Sequence, residues 1–530
     1  MSRVFHFAVR HCFLLMFANA IALYAVQSLA SAVSDAERVV SRQDTITVEG
    51  QVLDYTAAAG KLLIRDPDGT PEAEIFYVAY TLKGEPPDSR PVTFIWDGGP
   101  GGATFAANYF GLGPKRFFPS HHKRPGAPYE AEANPYSLLK HTDLVFLDPI
   151  GTGYSRAVGD KPEKEFWSVE GDAQSIVAAI QRYLSLNKRW QSPKFLLGTS
   201  YGTTRASVVS HKLQLDGVAL NGVILFGSAL NFGMFDNGMD QQFMLSLPTM
   251  AATAWHFGKT AYSSLSLPEF LKEVQTFIRT DYGPALFQGN ALPVEEKRRL
   301  AKQLSRYIGL DPQYIFDAHL RVSVIRFRKE LLRERGLVVG RMDGRTTMAD
   351  FDTVGEEPES DYWVHESFAM PARAIIEDFL GGELGFETEQ HYNLGSAGAA
   401  KYWQWHHPLP PVAGVSQREF DERNLFPQNT WAAADLSVAM RTNSKLRVFQ
   451  GHGYFDFATP YAWGDYDLAH MSYDPQLMKR ITTAYYKAGH VIYYDEKELP
   501  RIYADLTRFY LAALGKEAQS ESIETVGAQR

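Results

Sequence analysis

The first half of the chain is built from short apolar or alternating runs. Thr45-Ile46-Thr47-Val48, Lys61-Leu62-Leu63-Ile64, Glu74–Tyr80 and Val92-Thr93-Phe94-Ile95-Trp96 have strand length. Asp66-Pro67-Asp68-Gly69 and Gly84-Glu85-Pro86-Pro87-Asp88 separate them as turns, so antiparallel hairpins leading into a sheet are expected. Leu144-Val145-Phe146-Leu147 and Val223-Ile224-Leu225-Phe226 are continuous apolar runs, as expected of strands buried on both faces. Between them the period lengthens. Val169, Ala173, Ile176, Ile180, Tyr183 and Leu184 fall on one face of a helix over Ser168–Leu186, and Lys194-Phe195-Leu196-Leu197 is again a strand. Strand, helix, strand, helix, strand predicts an α/β fold with a mostly parallel central sheet and helices on both faces.

The character changes after Ala229. Residues 230–430 read as helical or irregular, with Phe270–Arg279, Val294–Tyr307 and Ala318–Arg335 as the clearest helices. Gly340-Arg341-Met342-Asp343-Gly344-Arg345 is turn-like, and Lys401-Tyr402-Trp403-Gln404-Trp405-His406-His407 is an aromatic stretch expected to pack. The sheet is expected to resume at Leu446-Arg447-Val448-Phe449 and to end with a strand at Val491-Ile492-Tyr493-Tyr494, before a helix from Pro500 to Leu514. The expected organisation is a core in two parts, 33–229 and 431–515. A mostly helical insertion over 230–430 covers the loop face, and a polar, disordered tail follows over 516–530.

Composition adds a compartment and removes some functions. The first 32 residues have the parts of a secretory signal: Arg3 and Arg10, an apolar segment from Cys12 to Val26, and an Ala30-Ser31-Ala32 cleavage site. Periplasmic or secreted protein is expected, with no stable membrane insertion after the signal is removed. The leader holds two arginines and no acids, so the formal charge moves from −8 for 530 residues to −10 for the remainder. With no basic cluster, such a chain is repelled by phosphates, and nucleic acid is not an expected partner. Cys12, the single cysteine, leaves with the signal, so disulfide and thiol chemistry are not expected. Oligomeric state is not readable from these totals.

Gly198-Thr199-Ser200-Tyr201-Gly202 stands between the strand at 194–197 and a helix-compatible segment at 203–209. A strand that enters a helix through Gly-x-Ser-x-Gly makes a sharp turn and presents the serine hydroxyl at its tip. Ser200 is therefore a candidate nucleophile; an ordinary Gly-rich turn is the plainer alternative. A serine needs a histidine to take its proton and an acid to orient that histidine, in the chain order Ser, acid, His. Asp456, just past the 446–449 strand, and His490, preceded by Gly489, fit, with His452 and Asp465 as competitors for the acid's neighbourhood. The run Asp97-Gly98-Gly99-Pro100-Gly101-Gly102 has no Gly-Lys-Ser/Thr after it, and Pro100 lacks a donor, so it does not read as a phosphate loop. Its backbone is instead suited to a close approach. His121-His122 and His406-His407 are adjacent pairs, and His-Glu-x-x-His is missing, so no metal or other cofactor is expected.

Several ordered blocks resemble the serine carboxypeptidase family, most closely its disulfide-free bacterial members. They are Trp96–Gly102, Gly113-Pro114-Lys115-Arg116, Asn134-Pro135-Tyr136, Val145–Ser155, Gly198–Arg205, Asp456-Phe457 and Gly489-His490, spread over about residues 45 to 515. The resemblance implies an α/β-hydrolase fold and release of C-terminal residues from a peptide substrate. It implies Ser200 as nucleophile, His490 as base, Asp456 as its orienting acid, and the N–H groups of Gly99 and Tyr201 as the oxyanion hole.

Two positions depart from that pattern. The family has Asn at the position of Asp97 and Glu at that of Thr199, and those side chains hold the substrate's terminal carboxylate, the Glu in protonated form. Asp97, Gly98 and Thr199 are the corresponding candidates here. An ionised Asp97 would repel a peptide carboxylate; a protonated one could donate to it, with Thr199 assisting. A direct Asp97–Thr199 hydrogen bond is what such a swapped clamp expects. Weakened recognition would instead leave an esterase, an acyltransferase or an enzyme for blocked peptides. A non-catalytic hydrolase-like binding protein is the reading from a different class.

Overall fold

The computed structural model describes residues 37–121, 126–235, 238–358, 361, 364–410, 418 and 429–516. The expected leader (1–32) and nearly all of the expected tail lie outside them.

The central sheet follows the path β1 (Val39–Val48), β2 (Gln51–Arg65), β3 (Pro71–Leu82), then β5 (Asp143–Leu147), β4 (Val92–Trp96), β6 (Lys194–Thr199), β7 (Gly222–Phe226), β8 (Arg447–Gly453) and β9 (Ile481–Tyr486). β1, β2, β3 and β5 pair antiparallel in turn, and from β5 to β9 every pairing is parallel. β4 and β5 change places relative to chain order. That order, with one antiparallel hairpin side and a parallel remainder, is the α/β-hydrolase arrangement.

The period-two alternation of side chains divides each buried strand between two cores. Phe195, Leu197, Ile224 and Phe226 face one side, where Ile502, Leu506 and Phe509 of the closing helix (Leu499–Ala513) cover them. Leu196, Val223 and Leu225 face the other, under helix α1 (Val169–Leu186), helix α2 (Tyr201–Leu215) and the helix Ala433–Thr442. A third core belongs to the chain between β7 and β8. Helices α3 (Gln241–His256), α4 (Leu267–Phe277) and α5 (Val294–Ile308) enclose it together with Phe455 and Phe457 from the loop after β8.

Two expected elements differ. Ala318–Arg335 is not one helix; a seven-residue helix, Val324–Glu330, occupies its middle. The last strand is Ile481–Tyr486, and Ile492–Tyr494 is a single 3-10 turn. Four apolar residues in a row can fill a core as a turn as well as a strand, while the half-exposed Ile481-Thr482-Thr483-Ala484-Tyr485-Tyr486 gives little apolar signal. Among the described residues no helix is long and apolar enough to cross a membrane.

Candidate active site

β6 ends at Thr199, α2 begins at Tyr201, and Ser200 alone makes the turn, with φ 60° and ψ −130°. A non-glycine residue there is strained, and the surroundings hold it. The Ser200 N–H donates to the Phe226 carbonyl at 2.9 Å. A Cβ on Gly198 would lie 1.9 Å from the Gly202 carbonyl oxygen, and one on Gly202 would lie 2.8 Å from that of Asp97. A Cβ on Gly98 would lie 2.6 Å from the Ser200 Cβ, so the Asp97–Gly102 loop runs directly against the serine. Among the described residues, neither the Gly99 nor the Tyr201 N–H donates within the chain, leaving both donors for a ligand.

Asp456 lies just past β8 and His490 just past β9. The His490 Nδ1–H donates to Asp456 Oδ2 at 2.8 Å. Asp456 is held in place by the Ala458 and Thr459 N–H groups, both 2.8 Å from Oδ1, and by the Thr459 hydroxyl, 2.8 Å from Oδ2. This turn is the familiar case of an aspartate accepting from the amides two and three residues on. With Nδ1 carrying the proton, Nε2 has the lone pair that a general base needs. Nε2 and the Ser200 hydroxyl are not hydrogen-bonded to each other, a looseness common before substrate binds. Both nonetheless meet the same turn: Ser200 bonds Phe226, and a Cβ on Gly227 would lie 3.1 Å from His490 Nδ1. His452 and Asp465 make no hydrogen bond to this pair, although His452 lies close enough to feel the Asp456 charge. They approach each other at 3.9 Å, and Asp465 accepts from Gln450 and Tyr485.

Asp97 is also buried. Oδ2 accepts from the Ala106 N–H at 2.7 Å, Oδ1 from the Ala107 N–H at 3.2 Å and from the Tyr493 hydroxyl at 3.1 Å. Desolvation pushes its pKa up to about 6, with the amides and Tyr493 pulling the other way. Asp97 and Thr199 are not bonded directly. The Tyr493 hydroxyl stands between them, 3.3 Å from Thr199 Oγ1. Arg205, from α2, donates to the Asp97 carbonyl at 2.9 Å and to Asp172 at 2.7 Å, tying the loop to α1.

Sequence reasoning missed the two straps that hold these loops. At 341–344, the Arg341 carbonyl accepts from the Phe457 N–H at 3.1 Å, the Met342 carbonyl from the His490 N–H at 2.6 Å, and the Gly344 N–H donates to the Phe455 carbonyl at 2.8 Å. A Cβ on Gly489 would lie 2.4 Å from that Met342 oxygen, which accounts for the glycine before His490. At 393–396, the Ser396 N–H donates to the Gly101 carbonyl at 2.7 Å and Asn393 exchanges two bonds with Gly153. Thr459 and Tyr493 were missed as well. A threonine three residues after an aspartate is a readable turn signal, whereas nothing local marks Tyr493.

Two cavities are lined by these residues. One of about 240 Å³ is lined by Gly99, Ser200 and Tyr201. The other, about 550 Å³, is lined by His490 and Tyr494. Among the described residues no three His, Cys, Asp or Glu side chains converge as a metal-ligand set.

Residues 59–246 match the sequence model of a family described as serine carboxypeptidase. This segment holds β3 to β7, the Gly-rich loop and the Ser200 turn. The curated protein "Serine carboxypeptidase-like 50" of Arabidopsis thaliana is 28% identical over 166 residues, which cover 28% of this chain and 35% of that protein. The match thus spans about a third of the relative's length. Among solved structures, a proline iminopeptidase of Mycobacterium smegmatis aligns over 86% of this chain and 100% of its own, at 12% identity and a TM-score of 0.35. A putative aryl esterase of Burkholderia cenocepacia aligns over 89% of this chain and 100% of its own, at 12% identity and a TM-score of 0.34. The strand order, rather than these scores, carries the fold. The strand order is that of an α/β-hydrolase fold, and the segment bearing the Gly-rich loop and Ser200 is similar to the serine carboxypeptidase family.

Proposed function

We propose that the chain is a serine-type carboxypeptidase that releases C-terminal residues through an acyl-enzyme on Ser200. The observation that carries the catalytic assignment is the His490 Nδ1–Asp456 Oδ2 bond of 2.8 Å, in loops facing a serine held at φ 60°. His490 takes the Ser200 proton as Oγ attacks the scissile carbonyl, and Asp456 stabilises the resulting imidazolium. The carbonyl oxygen gains charge between the N–H groups of Gly99 and Tyr201, where one preorganised donor contributes roughly 3–4 kcal/mol. His490 then protonates the departing amine, and water repeats the sequence to free the acyl half.

Recognition of the terminal carboxylate falls to Asp97, Gly98 and Thr199, with Tyr493 joining Asp97 to Thr199. With a pKa of about 6, Asp97 is neutral only in acid, so exopeptidase activity belongs to acid pH. A second reading follows from the same group. At neutral pH an ionised Asp97, already accepting from Ala106, Ala107 and Tyr493, repels a substrate carboxylate, which favours esters, blocked peptides or acyl transfer. A blocked dipeptide with a free carboxylate, compared with its amide at pH 5 and pH 8, separates the two. The expected result is preference for the free acid at pH 5, lost at pH 8; equal rates at both would overturn the carboxypeptidase reading. Fluorophosphonate labelling of Ser200 distinguishes either enzyme from a binding protein.

Export is proposed as well, to the periplasm or the medium, with cleavage after Ala32. N-terminal sequencing of exported protein should begin at Val33; a chain retaining Met1 would contradict it.

A further inference from the structure

The cavity in front of Ser200 contains a charge that the catalytic sequence does not use. Its walls are a near-even mixture of polar and apolar surface, with Leu230, Phe232 and Trp405 among the apolar members, and the Phe232 and Trp405 rings lie 4.2 Å apart between centroids. Asp467, from the helix Tyr461–His470, lines the same cavity and is 1% exposed. Oδ1 accepts from Asn231 Nδ2 at 3.2 Å. Oδ2 is buried and makes no hydrogen bond within normal limits; the indole N–H of Trp431, itself without another partner, is the donor beside it and pulls the carboxyl's pKa down. A buried carboxylate held only by the neutral Asn231 amide and a loosely placed indole N–H is costly, so a cationic donor entering the cavity would be stabilised here.

The placement of the two cavities says which part of a substrate would bring that donor. His490 lines the larger cavity and gives its proton to the leaving group, so the leaving group belongs on that side. Gly99, Ser200 and Tyr201 line the smaller one, which is left for the acyl residue. We propose that this smaller cavity receives the side chain of the acyl residue and that Asp467 selects a cationic one, of lysine or arginine type. The proposal rests on Ser200 and His490 acting as described above. Phe232 and Trp405 suit the aliphatic stem and add ring faces to the charge. Arg341 is an exposed cation of the same lining, and no hydrogen bond or ion pair of its guanidinium is found among the described residues. It therefore opposes a cation that stays at the mouth and leaves Asp467 as the site where one is stabilised. Burial raises Asp467 to about 7, so assays at pH 8 read its ionised form.

The experiment uses Nα-blocked p-nitrophenyl esters of lysine, norleucine and glutamate, with the full-length protein at pH 8. Norleucine is a lysine side chain without the ammonium. None of these substrates has a free carboxylate, so failure of the carboxypeptidase reading does not affect the result, and Ser200→Ala shows whether turnover depends on that serine. The expected kcat/KM for lysine exceeds that for norleucine by at least tenfold, and Asp467→Asn brings the ratio close to one. A lysine-to-norleucine ratio at or below one in the wild type, a preference for glutamate, or a lysine preference that survives Asp467→Asn would each overturn the proposal. Should Asp467→Asn not fold, inhibition of wild-type norleucine-ester turnover decides: n-butylammonium is expected to compete where n-butanol at the same concentration does not, and equal inhibition would overturn it.

Discussion

Asp456 and Asp97 are two buried carboxylates held by the same kind of contact. Each accepts a pair of backbone N–H groups, Ala458 and Thr459 for one, Ala106 and Ala107 for the other. They differ in the last partner. Asp456 gives its remaining oxygen to the Nδ1–H of His490, which leaves the other ring nitrogen as a base. In Asp97 the Tyr493 hydroxyl shares Oδ1 with the Ala107 N–H, and burial holds that hydroxyl far above the range in which it could release a proton. In the proposed mechanism the first arrangement passes charge to a reacting serine. The second fixes a loop and, in the same proposal, sets the charge that an incoming substrate meets. A carboxylate's role in this site is therefore decided by what stands beyond it.

The largest expected effect is at the first of the pair. Asp456→Asn keeps the shape but leaves His490 in the wrong tautomer, and kcat for any substrate should fall about 10⁴-fold. A fall under tenfold would remove Asp456 from the proposed triad. Gly198→Ala tests the platform both carboxylates depend on. Its Cβ has only 1.9 Å to the Gly202 oxygen, so loss of soluble folded protein is expected, measured by thermal melting.

At the second carboxylate the effect is smaller and depends on substrate. Asp97 is neutral below its pKa of about 6 and charged above it, so turnover of free-carboxylate peptides should decline as pH rises through 6. Asp97→Asn should flatten that decline and raise neutral-pH turnover of such peptides by about tenfold, the equivalent of ~1.4 kcal/mol of removed repulsion. Their amides should change much less. An unchanged pH profile would show that Asp97 does not meet the carboxylate. Tyr493→Phe removes one donor from Asp97 and should cost about 1 kcal/mol of stability in denaturant titrations. It should also move the decline to higher pH, because a lowering contact is lost.

The catalytic half was the more legible in sequence. Strand-like runs that end in glycine-rich loops identify Ser200 and the Gly98–Gly99 loop, because strand ends and tight turns leave local marks. His490 follows the last strand directly, whereas the sequence pattern places that strand after it; the apolar run 491–494 packs as a turn. Tyr493 was unreadable for the same reason, since its contact with Asp97 joins residues 396 positions apart. The straps at 341–344 and 393–396 were hidden likewise. They act through backbone carbonyl and amide groups, which any residue supplies, so composition and period carry no trace of them. Asp467 carries no local mark either, since only tertiary packing brings its helix to the cavity wall.

The central claim is that Asp456, and not Asp97, drives Ser200. The rate of Ser200 labelling by a fluorophosphonate, with the adduct located by peptide mass spectrometry, measures this without reference to substrate preference. Ser200 is predicted to carry the adduct, with labelling slowed at least a thousandfold in Asp456→Asn and within a few-fold of wild type in Asp97→Asn. An adduct on another residue, or equal slowing in both variants, would contradict the account.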